Sequence, residues 1–92
     1  MNRDIQIEIQ SPNVLPGEDL SVVLSDEAED AIICYSIINS RTYAIVVQSG
    51  ETAETVWETI VPAAGHYYIR VEASFGDGSL VKVMEPLHVG QL

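Results

Sequence analysis

Apolar and polar side chains alternate with a period of two along much of the chain, as they do in half-buried β-strands. Ile5, Ile7 and Ile9 alternate with Asp4, Gln6, Glu8 and Gln10, which predicts a first strand over residues 4–10. Ser11-Pro12 ends it, and Leu15-Pro16-Gly17-Glu18 makes a turn. Leu20, Val22 and Leu24 then alternate with Asp19, Ser21 and Val23 in a second strand. After an acidic loop at 26–30, residues 31–38 are apolar on both faces and rich in β-branched side chains, which predicts a central strand. Asn39-Ser40-Arg41 turns the chain into a fourth strand over 42–48, and Ser49-Gly50-Glu51 turns it again.

Residues 52–61 present two faces, one with Thr55, Trp57, Thr59 and Val61 and one with Glu54, Val56, Glu58 and Ile60. The Trp57 face is expected to point inward. Thr52, Thr55, Val56 and Thr59 argue against a helix here. Beyond the loop Pro62-Ala63-Ala64-Gly65, the residues Tyr67, Ile69, Val71 and Ala73 alternate with His66, Tyr68, Arg70 and Glu72. Phe75-Gly76-Asp77-Gly78 supplies a hairpin turn, because it tolerates the positive φ such turns need. The last strand runs over 80–89, with Pro86 marking an edge or a bulge because proline has no ladder donor. Seven strands with frequent turns and no helix predict an all-β sandwich of antiparallel strands.

The chain has 92 residues, close to the roughly 100 of an immunoglobulin-type sandwich. That is enough for one domain, residues 1–92, and too little for a large internal ligand cavity. Fourteen Asp and Glu face four Lys and Arg, a net charge of −10. Such a surface repels phosphate backbones and anionic membranes, so no nucleic-acid partner is expected. Neither a signal core nor an apolar span near 20 residues is present, so no membrane insertion is expected. The single cysteine, Cys34, excludes an intrachain disulfide and is expected to be a buried, inert thiol.

The stretch from Pro62 to Ala73 holds Gly65, Tyr67, Ile69 and Val71 in a Gly-X-Tyr-X-apolar-X-Val pattern. It resembles the penultimate strand of bacterial and phage immunoglobulin-like and fibronectin-like domains. Leu15-Pro16-Gly17-Glu18-Asp19-Leu20-Ser21-Val22 is similar to the first hairpin of the same domains. The resemblance implies an immunoglobulin-like β-sandwich, with Tyr67 as the corner tyrosine whose hydroxyl bonds back to nearby backbone. The paired cysteines of antibody domains are missing. Such families are largely structural, adhesive or carbohydrate-associated.

The chemistry-bearing residues do not form a catalytic pattern. His66 and His88 are out of phase with the inward positions and are expected to be surface residues. No nucleophile elbow, zinc spacing or phosphate loop occurs, so neither enzymatic activity nor a cofactor is expected. Asp26, Glu27, Glu29 and Asp30 are calcium candidates by charge, but lack the ligand order of a calcium hand. Asp77 suits turn chemistry. Tyr43 and Tyr68 are candidate interaction residues, since exposed aromatic rings favour interfaces and sugar stacking. Arg41 joins them as a cation in a chain poor in cations.

Three non-enzymatic roles follow. The first is a structural module, made in the cytosol and assembled onto a larger particle such as a virion or capsid. The second is a spacer, adhesion or carbohydrate-associated module of a longer secreted bacterial protein. The third is an inhibitor-like domain using the loops at 39–41 and 75–79.

Overall fold

A computed structural model of the chain describes residues 4–10 and 14–90. Its strands are β1 (Ile7–Ile9), β2 (Asp19–Leu24), β3 (Ile32–Asn39), β4 (Ile45–Thr52), β5 (Val56–Ile60), β6 (Gly65–Ser74) and β7 (Leu80–Val89). They form two antiparallel sheets, ordered β1-β2-β5 and β4-β3-β6-β7. The described residues form an immunoglobulin-like β-sandwich of seven strands. In constant-type antibody domains the fourth strand joins the first sheet. Here β4 stays beside β3 and gives a three-plus-four division.

In β2, β6 and β7 the inward positions are those the alternation picks out, and in β3, apolar on both faces, the pairing selects them. Leu20, Val22 and Leu24 from β2 meet Ile33, Tyr35 and Ile37 from β3, and Tyr67, Ile69, Val71 and Ala73 from β6. Ile5, Val61, Leu87 and Val89 extend the same core. Trp57 is half-buried and stacks on Tyr35 across the sandwich, ring centroids 5.3 Å apart. The Tyr35 hydroxyl donates to the Glu54 carbonyl at 2.6 Å and anchors the crossing from β4 to β5. The Tyr67 hydroxyl donates to the Ala63 carbonyl at 2.9 Å, the bond a corner tyrosine makes.

Several boundaries differ from expectation, each for a local reason. β1 is shorter than 4–10, because Ser25 engages Gln6 in place of a ladder partner: Gln6 N–H donates to Ser25 Oγ and Ser25 N–H to the Gln6 carbonyl. The Ser11-Pro12 break lies outside the described residues. The acidic loop contains a short 3₁₀ turn, Asp26–Ala28, whose Ala28 plugs into the core. β4 begins three residues later than predicted. Asn39 Oδ1 accepts from the backbone N–H groups of Arg41 and Thr42, which holds the chain in a wider loop up to Ala44.

Ser49-Gly50-Glu51 is not a turn but a bulge within β4, where the register against β3 shifts. Gly50 takes the left-handed φ of 75° that this geometry needs, and Ser49 Oγ accepts the Tyr35 N–H. Around Pro86 the β6–β7 register is unbroken, so the proline marks an edge strand rather than a bulge. Asp77 serves its turn, Oδ1 accepting from the Ser79 N–H and hydroxyl.

Val22 and Val71 have no exposed surface. Val22→Asp or Val71→Asp buries an unpaired charge and is expected to unfold the domain, as circular dichroism and a lost thermal transition would report. Near-native melting of either variant would refute the assigned inward face.

A second prediction concerns Tyr35, whose ionisation burial, with help from the Glu54 carboxylate, pushes up from 10.0 to about 12. The unfolded chain releases this proton near pH 10 and the folded chain near 12. Between those values the unfolded state binds fewer protons, so stability is intact below pH 10 and falls as pH rises. The Tyr35 part of the fall is at most about 1.4 kcal/mol per pH unit in urea titrations. Tyr35→Phe should cost about 1 kcal/mol near neutrality and flatten the fall. Parallel curves for the two proteins between pH 10 and 12 would contradict this.

Candidate binding face

The outer surface of the four-stranded sheet is assembled from the positions that alternate with the core. The registers align them in rows across the strands. One row is Ile45, Ile38, Tyr68 and Pro86; the next is Gln48, Ser36, Arg70 and Met84. A third is Glu51, Cys34, Glu72 and Lys82, and Ile32, Ser74 and Leu80 close one end. His66 and His88 form the last row at the other end.

Ile38 and Ser36 lie at the centre of this face, yet both are buried beneath their neighbours. The apolar character of β3 on both faces therefore has a structural reason. Cys34 is not the buried thiol expected. It is in outward phase and half-exposed, with Gln48 Nε2 3.7 Å from its sulfur. Its run alternates, and only the inward members reach the core.

Tyr43 and Tyr68 are brought together, rings nearly parallel at 7° with centroids 6.3 Å apart. Tyr43 is 62% exposed and sits at φ 60°, a conformation that costs a bulky side chain roughly 1–2 kcal/mol. The Asn39-centred loop imposes it, with the Tyr43 N–H donating to the Asn39 carbonyl at 2.8 Å. Arg41 is exposed in the same loop.

Exposed large apolar side chains concentrate here. Among the described residues there are eight, and six of them belong to this sheet and its hairpin: Ile32, Tyr43, Ile45, Val46, Leu80 and Met84. The other two, Val56 and Ile60, lie on β5. Charge divides differently. On the outer face Glu51 and Glu72 are balanced by Arg70 and Lys82, with Glu72 lying 3.5 Å from Arg70 and 3.8 Å from Lys82. The outward positions of the opposite sheet carry Glu8, Asp19 and Glu58 and no cation. The chain's net negative charge lies away from the four-stranded face.

The remaining candidates stay apart from this face. Asp26, Glu27, Glu29 and Asp30 are all exposed. Among the described residues no group of three or more His, Cys, Asp or Glu is placed to hold a metal ion, this run included. The loops at 39–41 and 75–79 cap opposite ends of the four-stranded sheet, separated by the length of β3, roughly 25 Å. No helix among the described residues is long and apolar enough to cross a membrane.

No family model matches the chain, and no curated protein matches it. Among solved structures it is similar to the crystal structure of CopC from Methylosinus trichosporium OB3b. The two share 19% identity and a TM-score of 0.55 over 84% of this chain and 80% of that one. The likeness is one of fold: a small all-β sandwich.

Backbone strain of roughly 1–2 kcal/mol at Tyr43 is opposed by a stacking gain of about 0.5–1.5 kcal/mol against Tyr68. Tyr43→Asn, which accepts the left-handed conformation, is expected to change the unfolding free energy by less than about 1 kcal/mol. A loss above about 2 kcal/mol in chemical denaturation would mean that the ring supports the fold instead of serving the surface.

Proposed function

We propose that this protein is a non-enzymatic interaction module that docks onto a larger protein assembly through the outer face of its four-stranded sheet. The observation that carries this reading is the clustering of exposed apolar side chains on a charge-balanced face of an otherwise strongly acidic molecule. Depletion of net charge around aromatic and aliphatic side chains is what the centre of a protein interface needs. Tyr43, held exposed against its backbone preference, is the natural anchor. With a net charge of −10 the chains repel one another, which favours a different protein over a second copy. The resemblance to bacterial and phage immunoglobulin-like domains supports an assembly such as a virion or capsid as the partner.

Gradient sedimentation of source-cell extract tests this, with benzoylphenylalanine placed at position 43 or, on the opposite sheet, position 56. The protein is expected to travel with a heavy assembly and to crosslink within that fraction from position 43 only. Ile45→Asp with Met84→Asp should leave it at the top of the gradient. Sedimentation as a free monomer throughout, or crosslinking from position 56 alone, would overturn the reading. Glycan-array binding abolished by Tyr43→Ala or Tyr68→Ala would replace it with carbohydrate recognition.

A further inference from the structure

The chain has two histidines, and the fold sets them directly opposite each other. His66 of β6 pairs with His88 of β7, both side chains are exposed, and the rings lie 4.7 Å apart at 18°. They edge a recess of about 330 Å³ that is also lined by Ser40, Tyr68, Pro86 and Leu87. Residues directly opposite on antiparallel strands have Cβ atoms about 4.5–5.5 Å apart. A shared ion would take one nitrogen from each ring at about 2.0–2.1 Å, reached by turning the exposed side chains out of their stacked arrangement.

From this juxtaposition we infer that His66 and His88 form a two-imidazole site for a borderline divalent transition-metal ion. Imidazole suits nickel and zinc and does not suit calcium or magnesium, which take oxygen ligands. With no third His, Cys, Asp or Glu placed at the site among the described residues, its other coordination positions open into the recess. The ion would be held by two protein nitrogens and solvent. The negative charge of the molecule adds a general attraction for cations without choosing among them.

The test is isothermal titration of the whole protein with Ni²⁺ and Zn²⁺, with Ca²⁺ as the hard-cation control. One equivalent of Ni²⁺ or Zn²⁺ is expected to bind and to raise the melting temperature, reversibly with chelator. Nitrogen-detected NMR should show the largest shifts at the rings of His66 and His88. His66→Gln or His88→Gln should each weaken binding by on the order of ten-fold or more, and the pair should abolish it. Both positions are exposed, so the variants are expected to fold, and an unchanged circular dichroism spectrum checks this. Three results would overturn the inference: no binding by the wild type, binding unchanged in the double variant, or Ca²⁺ bound as well as Ni²⁺.

Discussion

Among the described residues no ladder joins the two sheets, so the sandwich depends on what its inner faces do to each other. Tyr35 is the residue on which that contact turns. It projects from β3, stacks on Trp57 of the opposing sheet, and its hydroxyl holds the Glu54 carbonyl where the chain passes between sheets. A ring supplies buried area, and its polar tip needs a partner once buried. Here one side chain fills the core and fixes the crossover. Its own N–H is bound by Ser49, so the β4 bulge is tied to the same residue.

Much of the fold is legible in the sequence because period-two alternation is a local signal. It placed β2 and β7 at their observed ends, found the inward face of β6, and turned Trp57 inward, but it left the two faces of β3 undistinguished, because that strand is apolar on both. What alternation does not encode is side-chain hydrogen bonding to the backbone. Asn39 widened one hairpin, Ser25 shortened β1, and Ser49 with Gly50 carried β4 through an apparent turn. Ala28 was hidden because a small apolar residue among four carboxylates looks like part of a solvated loop.

The candidate site is less legible, since it is made of rows across strands rather than runs along them. Tyr43 and Tyr68 could be marked singly as outward rings, of which Tyr43 is exposed and Tyr68 half-buried, but their contact depends on a loop conformation and a register. The histidines could be placed outward from their phase, whereas their juxtaposition depends on how β6 pairs with β7. Charge followed the same rule. Composition gives the total, and only the pairing shows that the four-stranded face is balanced while the other sheet's outward positions are acidic.

The irregularities at both borders of the larger sheet have a consequence for how the molecule meets others. β7 carries Pro86 without a donor, and β4 is interrupted by the Ser49–Gly50 bulge. A flat edge invites another strand to continue the sheet, and proline or a bulge spoils that template. Both borders of the larger sheet are thereby made poorer templates for strand addition. Borders of this kind favour contact through the face of the sheet over continuation of its edge.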